Sequence, residues 1–299
     1  MATLHSWIKA ARLRTLPLAS ASIALGGFLA RLQPSFNLNA VIFAGITTLF
    51  LQILSNLAND YGDSRSGIDN KNRIGPLRTV QSGEITHRSM KSAILIVSFL
   101  ALLSGIILVL WVAEIPLFSR IGFLLLGFGA IVAAIKYTVG QKPYGYRGLG
   151  DLSVFLFFGL LGVAGTFYVA TNTFDLTLLL PASAMGLLST GVLNLNNLRD
   201  FDNDKSSGKR TMVVSMGYIN ALKYHTLLIL LPFVFLGVFS YTYLTGLWPY
   251  TFILLLPLFV KDLVEIKKIE NLAHLDPYLK KLALKTLLLT LVFGITILL

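Results

Sequence analysis

Nine apolar runs constrain this chain more than any other feature, at roughly residues 15–31, 38–58, 91–113, 117–137, 149–171, 175–195, 224–244, 247–261 and 282–299. Most have the length of an α-helix that crosses a hydrocarbon core. Backbone placed in hydrocarbon must satisfy its own N–H and C=O groups, which a helix does within one segment. The expected fold is therefore an all-α integral membrane protein with about nine transmembrane helices. A chain of 299 residues that is 55% hydrophobic and 13% charged fits that class and excludes an ordinary soluble core. The run at 247–261 is short and holds Pro257, and the last run carries Lys285, so eight and nine crossings both satisfy the pattern.

The formal charge of +11 reflects topology rather than nucleic-acid binding. When chain ends and loops are assigned alternately to two sides, 23 of the 25 Lys and Arg fall on one side, leaving Arg31 and Arg120 opposite. The positive-inside rule puts that side, with the amino terminus, in the cytoplasm of a bacterial inner membrane, beside anionic lipid headgroups. Residues 1–14 are expected to form an interfacial helix, with Leu4, Trp7, Ile8 and Ala11 opposite Lys9 and Arg12. No cleavable signal peptide is expected, because the first apolar run lacks a small-residue cleavage site. Without cysteine there is no disulfide, thiolate nucleophile or Cys-type metal site, and the four histidines are scattered. Oxygen ligands for a hard metal remain.

Two acidic clusters end the second and sixth runs. The first is Asn56-Leu-Ala-Asn59-Asp60-Tyr-Gly-Asp63 with Asp69, and the second is Asn194-Leu-Asn196-Asn197-Leu-Arg-Asp200-Phe-Asp202-Asn-Asp204. Both lie on the cytoplasmic side, and each is followed by a Gly and an Arg-Thr pair, Arg78-Thr79 and Arg210-Thr211. This suggests two parallel repeats, about 15–137 and 149–299, within a single domain, with both clusters facing one cavity. On a continuous helix Asn56, Asn59, Asp60 and Asp63 share a face, and Asn197, Asp200 and Asp204 repeat that spacing. Helix capping alone would use Asn and Asp in this way once. Two matched sets call for a function.

Carboxylates this dense beside hydrocarbon repel one another and lose solvation, so they demand a cation. Mg²⁺ takes oxygen ligands and is commonly shared between carboxylates and substrate phosphates. Lys71, Arg73, Arg78, Lys205, Lys209 and Arg210 follow the acids and suit diphosphate oxygens, as does Lys142 on the same side. A ligand with an anionic head and a hydrocarbon tail, such as a polyprenyl diphosphate, matches a charged site at a membrane boundary. Breaking its carbon–oxygen bond gives an allylic cation, which needs a water-poor cavity and aromatic faces. Tyr61, Tyr137, Tyr144 and Tyr146 lie near the rim, and Tyr137, ending the fourth run, is the preferred inward-facing candidate.

The strings Asn59-Asp60-Tyr61-Gly62-Asp63, Gly67-Ile68-Asp69 and Arg73-Ile74-Gly75-Pro76-Leu77-Arg78 resemble the first motif of the intramembrane aromatic prenyltransferases. Asn197-Leu-Arg199-Asp200 through Asp204 to Lys209-Arg210-Thr211 resembles their second acidic motif. The likeness extends to Arg12-Leu-Arg14-Thr15-Leu16-Pro17 and to Pro143-Tyr144-Gly145-Tyr146-Arg147-Gly148-Leu149-Gly150-Asp151, so it covers nearly the whole chain. The six-residue spacing of Asp63 and Asp69 is similar to the 1,4-dihydroxy-2-naphthoate polyprenyltransferase branch.

That resemblance implies a nine-helix bundle around a central cavity with a lateral opening to lipid, and Mg²⁺ bridging two acidic motifs to diphosphate. It also implies prenyl transfer to 1,4-dihydroxy-2-naphthoate with loss of carbon dioxide, as in menaquinone biosynthesis. Asn59, Asp63, Asp200 and Asp204 become metal residues, and Asn56, Asp60, Asp69 and Asn197 join the substrate site. Arg14 and Arg147 are candidates for the acceptor carboxylate. Transfer to another ring, such as 4-hydroxybenzoate or homogentisate, and transport of an anionic amphiphile are the alternatives the residues leave open.

Overall fold

The computed structural model describes residues 2–70 and 74–299. Lys71 and Arg73, both expected at the diphosphate, lie outside the described residues. Among those residues the regular structure is helical throughout.

The chain enters through α1 (Leu4–Ala11), whose N-cap Thr3 accepts a bond from the Ser6 amide. Ser6 and Ala10 are buried while Leu4 and Ile8 are 76% and 43% exposed, so the apolar stripe faces outward, as an interfacial helix requires. Arg12 ends α1 in the left-handed region, and α2 (Leu16–Arg31) follows with Pro17 at its start, where a missing N–H costs nothing. Next is α3 (Leu38–Arg65), capped by Asn37, whose side chain accepts from Ala40 N. This helix runs beyond the apolar stretch and carries Asn56, Asn59, Asp60 and Asp63 of the first acidic cluster on its last turns, while Asp69 follows in the loop.

Then come α4 (His87–Ile107), capped by Thr86, and α5 (Leu117–Lys136). The next crossing, α6 (Gly150–Thr171), is π-helical from Phe155 to Gly165. Such widened turns re-aim side chains inside a helix. After it, α7 (Leu179–Arg199) delivers the second cluster, which continues through a break at Asp200 into α8 (Phe201–Ser206). The bundle closes with α9 (Met212–Met216), α10 (Tyr218–Tyr243), α11 (Leu256–Ile266) and α12 (Asp276–Thr296).

Among the described residues seven helices are long and apolar enough to cross a membrane: Leu4–Arg31, Leu38–Arg65, His87–Val112, Leu117–Lys136, Gly150–Thr171, Leu176–Arg199 and Tyr218–Tyr243. The protein is thus a multi-pass membrane protein. The last two apolar runs also become helical, the eighth entered through a 3₁₀ stretch at Trp248–Leu255. Both carry charge along their length: Asp262 sits in α11 and Lys280, Lys281 and Lys285 in α12. Lys285 reaches across to Asp262 at 2.7 Å, so two of these charges are neutralised against each other. The segment after Asp262 extends α11 to Ile266, and α12 begins at Asp276, earlier than the apolar pattern marks it.

At the centre α7 packs against α10, α12 and the π-helical part of α6, with α2 on the opposite flank. Its buried face carries Met185, Leu188, Leu195 and Leu198. Between these helices lies a cavity of about 350 Å³, lined by residues of α2 to α7.

Candidate active site

The cavity has two chemistries along its length. Its inner part is apolar, with Ile106, Val109, Phe123, Phe157 and Leu161 on the wall. Its mouth carries Arg12, Arg14, Asn56, Asn59, Asp63, Arg78, Asn196, Asn197 and Lys209. Leu102, Leu126 and Phe128 line the wall and are also 36%, 49% and 58% exposed.

The end of α3 supplies the first acids, but it does not present them as one set. Asn56, Asn59 and Asp63 reach the cavity. Asn56 donates to the Ala11 carbonyl and to Thr15, tying α3 to the amino-terminal segment. Asn59 accepts from Thr138, which also bonds the Ala58 carbonyl. Asp60 departs from the shared face expected of it. It accepts from Thr79 N at 3.1 Å, Thr79 Oγ1 at 2.6 Å and Val80 N at 3.4 Å, so its carboxylate holds the following loop instead of facing the cavity. Its helical angle places it at the edge of the polar stripe, where a returning backbone can capture it.

Arg78 joins the acids that sequence places far from it. Its guanidinium lies 2.9 Å from Asp63 and 3.1 Å from Asp69, and all three side chains are buried. Asp69 thus sits behind Arg78. Asp63 also accepts from Tyr146 at 2.5 Å, and burial pushes the Tyr146 hydroxyl well above its usual range, so it remains a donor.

The second cluster arrives from α7 and α8. Asn197 is buried at the cavity wall. Asp200 is gripped by Arg199, Nε to Oδ1 at 2.9 Å and Nη2 to Oδ2 at 2.7 Å. Asp204 pairs with Lys209 at 3.3 Å, and the Lys209 amide bonds the Asp204 carbonyl at 2.9 Å. Gly208 makes that return possible, since its φ of +75° is a conformation that side-chain-bearing residues avoid. Burial pushes the Asp204 carboxyl up to about 6, opposed by Lys209 and reinforced by the carboxylates of Asp200 and Asp63. Asp63 and Asp200 thus both lie within electrostatic reach of Asp204.

The two acidic loops also touch. Asn203 donates to the Ile68 carbonyl at 3.1 Å, and Asn70 to Ser207 at 3.4 Å. A third loop joins them where the Arg210 amide bonds the Tyr146 carbonyl. The repeated Arg-Thr pairs serve unlike ends, for Thr79 anchors Asp60 while Thr211 caps α9. Tyr137 reaches the cavity at the end of α5, seated edge-on against Tyr144 with ring centroids 5.3 Å apart. Its seat requires glycine: a Cβ on Gly145 would fall 2.9 Å from its ring and one on Gly150 2.6 Å from its hydroxyl.

Other expected residues do not line the cavity. Besides Asp60, the carboxylates of Asp69, Asp200 and Asp204 are buried against Arg78, Arg199 and Lys209 and are not on its wall. Of the acids in the two clusters only Asp63 is. Lys142, Arg147, Lys205 and Arg210 are exposed, Lys205 lying over the Phe201 ring. Arg14 is at the wall but ion-paired to Asp276 at 3.3 Å. Arg199, Asn196 and Asn203 belong to the second cluster by sequence but acquire partners only in the fold, and Asp276 joins them from outside either cluster. Asp276 offered no motif, and Arg199 read as one more cytoplasmic charge.

Among the described residues no three acid or histidine side chains are gathered around one point. Asp63, Asp200 and Asp204 each face a cation, yet Asp204 keeps one buried oxygen without a hydrogen-bond partner. Such donors fit a hard divalent ion that completes its shell with waters and ligand oxygens.

The fold and the site define a class: an all-α multi-pass membrane protein whose apolar cavity opens past Asp63, asparagines and cations, with further buried ion-paired acids beside it. The chain belongs to the UbiA prenyltransferase family, whose model matches residues 20–282. It is 46% identical to the 1,4-dihydroxy-2-naphthoate octaprenyltransferase of Escherichia coli (strain K12), over 97% of this chain and 94% of the relative. Against the protein of the same name from Haemophilus influenzae it is 41% identical, over 99% and 96%. A UbiA homolog from Archaeoglobus fulgidus, solved bound to DMAPP and Mg²⁺, superposes with a TM-score of 0.65 at 14% identity, covering 98% of this chain and 99% of that one. An apo UbiA homolog from Aeropyrum pernix K1 gives 0.65 at 17%, covering 94% and 96%.

Proposed function

We propose that this protein transfers a polyprenyl group from polyprenyl diphosphate to 1,4-dihydroxy-2-naphthoate, releasing diphosphate and carbon dioxide and forming demethylmenaquinol. The observation that carries this reading is the meeting of two acidic segments, far apart in sequence, at one cavity mouth, where Asp63 with its partner Arg78 and Asn197 with Lys209 line the wall. The full-length relatives named for that reaction support the choice of acceptor.

The diphosphate lies at the mouth, where Arg78 and Lys209 face its oxygens and Asn59 and Asn197 donate amide hydrogens. Mg²⁺, when held by Asp63, Asp200 and Asp204, neutralises the leaving diphosphate. The prenyl tail follows the apolar wall, and the exposed Leu102, Leu126 and Phe128 give it a lateral way to lipid. When the carbon–oxygen bond breaks, its electron pair leaves with diphosphate and the allylic cation stays in a water-poor pocket. Tyr137 and Tyr144 present ring surface there. The ring carbon that bears the acceptor carboxylate attacks the cation, and loss of carbon dioxide from that carbon restores the aromatic ring. Arg14, on the wall, is the arginine placed to meet the carboxylate. The same proposal puts the amino terminus and the cavity mouth at the cytoplasmic face of a bacterial inner membrane, and reads 15–137 and 149–299 as parallel repeats of one domain.

Purified protein supplied with Mg²⁺, a labelled polyprenyl diphosphate and, separately, 1,4-dihydroxy-2-naphthoate, 4-hydroxybenzoate or homogentisate tests this. Prenylated, decarboxylated naphthoquinol is the expected product. Turnover of another acceptor alone would reassign the substrate, and binding of prenyl diphosphate without its cleavage would overturn the enzyme.

A further inference from the structure

Arg199 has no exposed surface, a rare condition for an arginine inside a membrane protein. Its five donors explain how that is sustained. Two hold Asp200, Nη2 also reaches Asn196 Oδ1 at 2.9 Å, and Nη1 meets Asp276 Oδ1 at 2.5 Å. Asp276 stands on the first turn of α12, almost eighty residues downstream, with Pro277 fixing the helix start behind it. Its second oxygen accepts from Arg14 at 3.3 Å, and Arg14 lines the cavity. One carboxylate therefore connects the last helix, the amino-terminal segment and the acid at the break between α7 and α8.

We propose that Asp276 is a positioning residue: by holding the far side of the Arg199 guanidinium it sets the plane of the Asp200 carboxylate, and so the metal affinity of the site. The inference rests on the reading of Asp200 as a metal residue. Asp276 acts through competition for charge and through direction. A fork held by Asp200 alone would rotate with it and draw its full charge onto that carboxylate. Asp276 takes part of the charge and fixes the fork against a separate helix, and so fixes the orientation in which Asp200 meets a metal ion. Partners of metal-binding carboxylates typically alter metal affinity 10–100-fold when removed. The Arg14 contact makes the same acid a clamp on the cavity wall, but a weaker one, since both side chains there are about one-third exposed.

Mn²⁺ binding to the purified full chain, measured by electron paramagnetic resonance with a non-cleavable prenyl diphosphate analogue present, tests this without turnover. Asp276→Asn should weaken Mn²⁺ about tenfold, and Asp276→Glu should recover most of the loss. Arg199→Lys keeps the charge but loses the fork, and should weaken Mn²⁺ similarly, with Asp276→Asn adding nothing in that background. Wild-type Mn²⁺ affinity in a folded Asp276→Asn protein would overturn the proposal, as would additive losses in the double variant. Should Asp276→Asn fail to fold, the Glu and Arg199→Lys variants still decide, since unchanged affinity in Arg199→Lys removes the relay. Undiminished Mn²⁺ binding by Asp200→Asn would instead remove the metal reading itself.

Discussion

Arg78 Nη2 lies 2.9 Å from Asp63 Oδ2, although α3 ends and a loop turns back before the arginine arrives. With Arg78 Nε 3.1 Å from Asp69, one buried cation holds two acids of the same motif. Arg78→Leu would leave two buried carboxylates without this partner, a loss of about 3–5 kcal/mol in stability. Arg78→Lys should retain part of the stability but not the fork, with a raised KM for prenyl diphosphate. Thermal unfolding in detergent and steady-state kinetics measure the two effects separately.

Asp60 and Asp63 are three residues apart with different tasks. Asp60→Asn should cost about 1–3 kcal/mol, because the amides and hydroxyl of Thr79 and Val80 lose a charged acceptor. Its Mg²⁺ dependence should remain close to wild type, whereas Asp63→Asn should lose Mg²⁺ response. Equal loss of Mg²⁺ response in both variants would contradict this division.

The raised carboxyl of Asp204 sets a pH window. A carboxyl lifted from 3.8 to about 6 binds its proton more tightly in the folded protein, so its contribution to stability shrinks as pH rises through that value. A divalent ion must displace that proton below pH 6. Apparent Mg²⁺ affinity should accordingly fall as pH drops from 7 to 5, approaching tenfold per unit at the acid end. Asp204→Asn should flatten that slope, as read by calorimetry at several pH values.

Tyr137 and Gly150 form a pair that a compensating change can expose. Gly150→Ala would drive a methyl against the Tyr137 hydroxyl, costing about 1–3 kcal/mol. Tyr137→Phe removes the obstructing oxygen, leaving Leu193 at 3.3 Å and the Tyr137 ring at 3.4 Å from that methyl. The double variant should melt above Gly150→Ala alone. Activity should fall more in Tyr137→Ala than in Tyr137→Phe, since only the alanine loses the ring.

The two arginines nominated for the acceptor carboxylate are separable. Arg147 is exposed and away from the cavity, and Arg147→Leu should leave the acceptor KM within about twofold of wild type, as for an ordinary surface position. Arg14→Leu should raise it about tenfold, the loss expected from one charged hydrogen bond. Saturation curves in acceptor at fixed prenyl diphosphate provide the comparison.

By itself the sequence determined that the chain crosses a membrane many times as helices, because apolar length and unsatisfied backbone leave hydrocarbon no other solution. It also marked both acidic segments as belonging together, since matched Asn and Asp spacing beside apolar runs has no inexpensive structural use. What it left undecided was direction. Asp60 lies within a helical face shared with Asp63, and the returning Thr79–Val80 backbone captures it; Lys205 and Arg210 flank Lys209, and only Lys209 folds inward over Gly208. Arg199 and Asp276 acquire their roles from the meeting of α7 with α12, a contact that spacing along one chain does not encode. Local pattern sets which residues are polar and where helices run, whereas the partner of each charge depends on which backbone arrives from elsewhere to meet it.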